Sequence, residues 1–144
     1  MKEKYIQRLI KEWLTHGKII IACDYDDTIS PWRFTTEEDL KFYDNVIEEL
    51  RYSKNVGAYI IIFTACDPNR YDEIINYCLS KGLIIDGINK TPVDLPYGKE
   101  GSKIYANIFL DDRGGLEESI QILYEARTKV FNQTQALNEQ QVEF

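Results

Sequence analysis

The sequence predicts a single α/β domain with a mainly parallel sheet and helices on both of its faces. Two observations support this prediction. Short apolar runs alternate along the chain with longer segments of helical periodicity, and the first run is apolar throughout. A wholly apolar strand is typical of the buried centre of a parallel sheet. We therefore expect a doubly wound, three-layer, Rossmann-like fold with the first strand near the middle of the sheet.

The first half of the predicted fold is a helix, a strand, a helix and a second strand. Apolar positions at helical spacing mark the first helix, and Gly17 is a stop signal after it. Thr35 can form a capping box with Glu38 and so begins the second helix. The expected elements are a helix over 3–15, a strand over 18–23, a helix from Thr35 to about 55–57 and a strand over 58–63.

The second half repeats the alternation with a longer loop inside it. Pro68 suits the start of a helix, and Gly82 suits its end. Several glycines and prolines after position 86 indicate a loop. The expected elements are a helix that starts near Pro68 and stops at Gly82, a short third strand over 83–85, a loop over 86–102, a fourth strand over 106–110 and a last helix from Gly115 or Leu116.

The 144 residues suit one domain, which we place at 1–132, with a polar tail over 133–144 that is either a frayed helix or disordered. A net charge of −7 argues against binding of a nucleic-acid polymer. No apolar run is long enough for a membrane span. Three scattered cysteines and the lack of a signal-peptide pattern indicate a cytoplasmic protein. Formation of a homo-oligomer is left open.

Polar side chains follow three of the four predicted strands. Because the carboxyl ends of parallel strands meet at one edge of a sheet, these side chains can converge although they are far apart in sequence. Carboxylates so close together repel one another, and a bound divalent cation relieves that repulsion. The residues are Asp24, Asp26 and Thr28 after the first strand, Thr64 after the second, and Asp111 and Asp112 after the fourth.

This ordered set resembles the four motifs of the haloacid dehalogenase-like hydrolases. The resemblance extends from residue 18 to about residue 126, and its first and last motifs are the most specific. The matching segments are 20–28 for the first motif, 59–64 for the second, Lys103 for the third and 108–112 for the fourth. The resemblance implies a Mg²⁺-dependent hydrolase of phosphomonoesters that forms an aspartyl-phosphate.

The resemblance also implies a role for each motif residue. Asp24 would be the nucleophile, and Asp26 would be the general acid and base. Thr64 would donate a hydrogen bond to a phosphoryl oxygen. Lys103 would neutralise the carboxylates and steady the phosphoaspartate. Lys90 and Lys99 are alternative candidates for the lysine, and the sequence does not decide among the three.

The expected metal site combines side chains with one main-chain oxygen. Asp24 and Asp111 would bind Mg²⁺ through carboxylates, and Asp26 through its main-chain carbonyl. We expect Asp112 to contribute less, or through water, because successive side chains of a strand point to opposite faces.

The expected substrate site has no cap domain, because the gaps between the motifs are too short to hold one. The candidate substrate-binding residues are Thr28, which would mainly orient its loop, Ala65, and Arg33, which lies on a presumed flap beside Trp32 and Phe34. Arg70 and Arg113, which follow the second and fourth strands, are further candidates. The expected partner is a phosphorylated substrate, either a small molecule or an extended one.

Two other functions remain open at this stage. In a receiver-like phosphoacceptor the phosphorylated aspartate follows the third strand, and Asp86 occupies that position here. The order of Thr64 and Asp86 fits that pattern poorly. The other alternative is a phosphate-binding or scaffold protein on the same fold, and the intact set of motif residues argues against it.

Overall fold

The predicted alternation of helices and strands is present in the structure, a computed structural model that describes residues 2–33, 36–91 and 105–142. Its elements are α1 (Lys2–His16), β1 (Ile19–Asp24), α2 (Glu37–Asn55), β2 (Ala58–Phe63), a 3₁₀ turn (Pro68–Arg70), α3 (Tyr71–Ser80), β3 (Gly87–Ile88), β4 (Ile108–Leu110) and α4 (Leu116–Val142). In the described parts of the chain, no helix has the length and apolar character needed to cross a membrane.

The four strands form one parallel sheet in the order β3-β2-β1-β4. β1 pairs with β2 along its whole length, from Ile19 opposite Ala58 to Asp24 opposite Phe63. On its other side β1 pairs with β4. The predicted parallel sheet with an interior first strand is therefore confirmed.

The main core lies on one face of the sheet. Side chains alternate between the two faces along a strand, so Ile19, Ile21 and Cys23 of β1 share a face. These three residues belong to a single buried cluster that includes residues of all four helices. On the opposite face, Ile20 and Ile61 form a small cluster to which no described helix contributes. The structure thus shows an α/β fold consistent with a Rossmann-like arrangement, with its described helices against one face.

Helix α4 is longer than expected and crosses the predicted boundary at residue 132. Its inward positions Leu123, Ala126 and Val130 are buried, and they recur at helical spacing. Beyond Val130, the described side chains of α4 are exposed up to Glu139, yet the helix continues to Val142. Of the two expectations for residues 133–144, the helical one fits the residues described.

The predicted third strand at 83–85 is wrong, because that apolar run is the link between α3 and the sheet. The backbone N–H of Leu83 donates to the carbonyl of Cys78 and closes the end of the helix, and the Leu83 side chain is buried in the core. Pairing with β2 begins only at Asp86, whose N–H donates to the carbonyl of Ile60. Strand β3 is consequently Gly87–Ile88.

Two other boundaries shift for local reasons. The N-cap of α2 is Thr36, which forms a capping box with Asp39, whereas Thr35 lies outside the described residues. Strand β4 begins at 108 instead of 106. Before that point, the Asn107 side chain accepts from the N–H of Ile20 at 2.6 Å and so extends the pairing of β1 without a regular strand.

Gly57 has the tightest surroundings among the glycines that the structure describes. It has φ of +103°, and a Cβ atom there would lie 2.5 Å from the carbonyl oxygen of Gly17. Gly17 also has a positive φ, of +72°, but a Cβ atom there would meet nothing within 4 Å.

We expect Gly17→Ala to lower the free energy of unfolding by about 1 kcal/mol, because alanine is less stable than glycine in this left-handed backbone conformation. Gly57→Ala should lower the free energy of unfolding by about 1–3 kcal/mol more, because the backbone at Gly17 must move to make room for the Cβ atom. Urea unfolding of the two variants measures the difference, and equal losses would contradict the clash.

Candidate functional site

The carboxyl edge of the sheet brings three carboxylates together. Asp24 ends β1, and Asp111 and Asp112 follow β4, which pairs directly with β1. The three residues can each offer a carboxylate oxygen such that all these oxygens lie within 4.8 Å of one another. Both acids of the fourth motif lie beyond the end of β4, so strand pleating does not separate them. The turn brings Asp112 into the group as well as Asp111.

Burial and negative neighbours make Asp24 an unusual carboxyl group. The pKa of Asp24 is raised from 3.8 to about 7, first by burial, then by a side-chain hydrogen bond with Asp112 and by the charge of Asp111. A hydrogen bond from the Tyr25 backbone opposes this rise without cancelling it. A cation held between these groups would favour the charged form of Asp24. The donor set and its electrostatics therefore fit a hard divalent ion.

Thr28 links the loop after β1 to the turn after β4. Its hydroxyl donates to Oδ2 of Asp24 at 3.3 Å and accepts from the backbone N–H of Asp112 at 3.2 Å. The side chain is fully buried. Thr28 therefore connects the carboxylate of Asp24 to the backbone of the turn after β4.

Asp27 fixes the flap, a role that the sequence analysis missed. It has a left-handed φ of +61°, a conformation that Asp tolerates better than most residues. Its Oδ1 accepts from the backbone N–H groups of Trp32 and Arg33 at 2.9 and 2.8 Å. The hydroxyl of Tyr43 lies 3.4 Å from the same oxygen. An acid followed by a turn was the available signal, because a short carboxylate commonly bonds nearby backbone donors.

Asp26 lies beside a cation instead of joining the three carboxylates. Its Oδ1 lies 3.5 Å from Nη2 of Arg70, which is the distance of an ion pair rather than of a well-formed hydrogen bond. That oxygen is buried and makes no hydrogen bond to the residues that the structure describes. The Arg70 guanidinium also lies over the ring of Trp32, 5.2 Å from its centroid, and contacts Glu73.

Thr64 follows β2 at the same edge, and Asn89 fixes its backbone. The Thr64 hydroxyl oxygen accepts from the N–H of Cys66 at 3.2 Å, which leaves its own hydrogen for donation. The Asn89 side chain accepts from the N–H of Thr64 and donates to its carbonyl, both at 2.9 Å. Asn89 thus continues the pairing of β2 by one residue. Ala65 lies in the exposed turn that follows.

The other cationic candidates are less close to the carboxylates. Lys90 is exposed and lines a groove between α3 and β3, two strands away from β1. Lys99 and Lys103 lie outside the described residues. The side chains of Arg33 and Arg113 are exposed. Among the arginines proposed from sequence, Arg70 brings its guanidinium to a motif carboxylate within the described residues, whereas Arg113 contacts Asp111 through its backbone N–H, which donates to Oδ1 at 3.1 Å.

Asp86, the receiver-like candidate, lies away from this edge. Its carboxylate accepts from Nζ of Lys54 at 2.8 Å and from the backbone N–H of Ile60 at 2.8 Å. It precedes β3 instead of following it. Ile60 is four residues before Thr64, or about 13 Å along a strand. The carboxylate of Asp86 therefore has a structural role at a distance from Asp24.

Comparison with known proteins gives a similarity of fold. The chain is similar to the solved structure of a conserved protein coded by a locus from Bacteroides thetaiotaomicron, with 28% sequence identity and a TM-score of 0.53. The match covers 67% of this chain and 78% of the other. No family model and no curated protein matches the chain. The similarity supports the α/β fold and assigns no activity.

The raised pKa of Asp24 predicts a pH-dependent stability in the absence of metal. Between 3.8 and about 7, the folded protein keeps a proton on Asp24 that the unfolded chain has released. The free energy of unfolding should therefore fall as pH rises through this window. Thermal unfolding in EDTA at about pH 5 and about pH 7 measures the slope, which Asp24→Asn should reduce. Identical slopes in the two proteins would show that Asp24 is not the group responsible.

Proposed function

We propose that this protein is a Mg²⁺-dependent phosphomonoesterase of the haloacid dehalogenase-like type. The observation that carries the proposal is the group Asp24, Asp111 and Asp112 at the carboxyl edge, with oxygens within 4.8 Å of one another. Asp26 follows β1 and Thr64 follows the neighbouring strand β2, so both lie at the same edge, as the proposed phosphoryl transfer requires. The three cysteines are free thiols, which suits the cytoplasm, where we place this activity.

The residues present fit a magnesium ion. Carboxylate oxygens are hard ligands, and Mg²⁺ takes one or two of them while it keeps several waters. Asp24 and Asp111 would hold the ion, with Asp112 beside them and the main-chain carbonyl of Asp26 as a further oxygen. When bound, the ion supplies positive charge to the phosphoryl oxygens and to the crowded carboxylates.

The chemistry assigned to the side chains has two steps. In the first, a carboxylate oxygen of Asp24 bonds to phosphorus, the bond to the leaving oxygen breaks, and Asp26 gives that oxygen a proton. In the second, water attacks the phosphoaspartate and passes a proton to Asp26, and the bond between phosphorus and Asp24 breaks. Thr64 donates to a phosphoryl oxygen in both steps. Lys103 remains the expected lysine, with Lys90 and Lys99 as alternatives.

The doubly wound arrangement belongs to the same proposal. Strands β1, β2 and β3 follow one another in one direction across the sheet, and β4 lies on the far side of β1. In a doubly wound sheet of this strand order, the face opposite to α2 and α3 is covered as well. Ile20, Ala22 and Ile61 on that face are fully buried, which supports a covering layer there.

An open site without a cap domain is also part of the proposal. From Thr28 to Ala58, the described residues hold only the start of a flap and α2. From Thr64 to Thr91 they hold the 3₁₀ turn, α3 and β3. Such a site would admit phosphorylated small molecules or extended substrates.

Replacement of the nucleophile gives the direct test. Asp24→Asn keeps the size of the side chain but removes the attacking carboxylate, so turnover of an aryl phosphate should fall by about 10⁴-fold or more. The variant should remain folded by circular dichroism. Turnover equal to that of the parent would refute the nucleophile assignment. A single round of phosphorylation at Asp86 without turnover would indicate a phosphoacceptor, and phosphate binding with no phosphotransfer would indicate a binding protein.

The two acids after β4 should differ in their effect on metal dependence. Asp111 is the less exposed of the two, so water replaces its carboxylate less readily. We expect Asp111→Asn to raise the Mg²⁺ concentration for half-maximal activity by about tenfold or more, and Asp112→Asn to raise it less. A Mg²⁺ titration of both variants makes the comparison. A larger shift for Asp112→Asn would reverse the assignment.

A further inference from the structure

We propose that Trp32 and Arg70 form the leaving-group side of this site and select phosphomonoesters whose leaving group carries an aromatic ring. The proposal rests on the phosphomonoesterase function proposed above and adds a substrate class to it. Its starting point is the contact of Arg70 with Asp26 on one side, at 3.5 Å, and with the ring of Trp32 on the other, at 5.2 Å.

The position of Asp26 determines where the leaving group lies. A general acid must come within hydrogen-bond reach of the oxygen that it protonates. The leaving group therefore lies against Asp26. Arg70 is in contact with Asp26, and Trp32 is in contact with Arg70. The buried Oδ1 of Asp26 has no hydrogen bond within the described part of the chain.

Trp32 has free surface to offer to such a group. Its side chain is 58% exposed although a guanidinium lies over its ring. An indole whose role is to pack the flap onto the domain would be mostly covered. Exposed aromatic side chains of this kind commonly bind planar rings by stacking.

Trp32 and Arg70, which together form a platform for the leaving group, are held in place before any ligand binds. The backbone N–H of Trp32 donates to Asp27, which also accepts from Arg33. Arg70 ends a 3₁₀ turn that is capped by Asp67, and its guanidinium contacts Glu73. Because these contacts already fix the Trp32 backbone and the Arg70 guanidinium, binding of a planar ring loses less of its energy to ordering the site.

Two matched pairs of substrates test the proposal and distinguish two sources of the ring. Adenosine 5′-monophosphate is compared with ribose 5-phosphate, and O-phosphotyrosine with O-phosphoserine. The parent should show about tenfold higher kcat/KM for the aromatic member of at least one pair. The pair in which Trp32→Ala removes the preference identifies a nucleobase or a phenol ring as the recognised group, because a phenol is also a better leaving group and can raise turnover without any contact with Trp32.

Variants at Trp32 and Arg70 should reduce the preference for the aromatic member of a pair. Trp32→Ala should lower kcat/KM for the aromatic member by about tenfold, and that for its partner by less than about twofold, while Trp32→Phe should keep most of the preference. Arg70→Lys keeps the positive charge near Asp26 but loses the planar guanidinium, so the preference should fall in part. Phe131→Ala, which removes an exposed aromatic residue of α4, is the matched control and should change neither value.

Equal losses for both members of each pair in Trp32→Ala would overturn the proposal, as would a parent with no aromatic preference in either pair. A calorimetric titration of the Asp24→Asn form with the same four compounds separates this failure from failure of the proposed function. If the parent turns over none of them but the Asp24→Asn form binds the aromatic members more tightly through Trp32, the platform is supported and the phosphomonoesterase proposal fails for these substrates. Equal binding within both pairs counts against the platform.

Discussion

Mutual repulsion among Asp24, Asp111 and Asp112 sets the conditions for the whole carboxyl edge of the sheet. Parallel pairing on both sides of β1 fixes the position of Asp24, so it cannot move away from the two acids that follow β4. The repulsion is relieved instead by hydrogen bonds and by a change in the pKa of Asp24. Thr28 bonds both loops, and the pKa of Asp24 is raised to about 7 by burial, the hydrogen bond with Asp112 and the charge of Asp111. The close approach of the three acids disfavours the charged form of Asp24 in the isolated protein, and a bound cation would favour that charged form.

The strands differ in how well the sequence predicts them, and burial explains the difference. The interior strands β1 and β2 are buried on both faces, so they appear in the sequence as continuous apolar runs. The run 83–85 has the same composition, but Leu83 enters the core while Ile84 is 61% exposed. Composition cannot distinguish such a link from a strand. The position of β3 depends on backbone bonds to β2, which the sequence does not encode locally.

The residues of the site likewise differ in how well the sequence predicts them. Asp24, Thr64 and Asp111 were predictable because each follows an apolar run, and strand ends of a parallel sheet meet at one edge. The supporting contacts of the site were not predictable, because each depends on a partner that is distant in sequence. Tyr43 contributes to the site through Asp27, Asn89 through Thr64, and Arg70 through Asp26. Even the strongest local signal for Asp27, an acid in a turn, does not say that it fixes the flap.

The small size of the described outer strands limits pairing between this sheet and another copy of the chain. An exposed strand edge can pair with another copy of the chain, and the risk grows with its length. Here the sheet's outer strands, as far as the structure describes them, are β3 with two residues and β4 with three. The two six-residue apolar strands, which would pair most readily with another chain, lie between them. Aggregation through these segments therefore requires the sheet to open first, which ties the solubility of the protein to its folding stability.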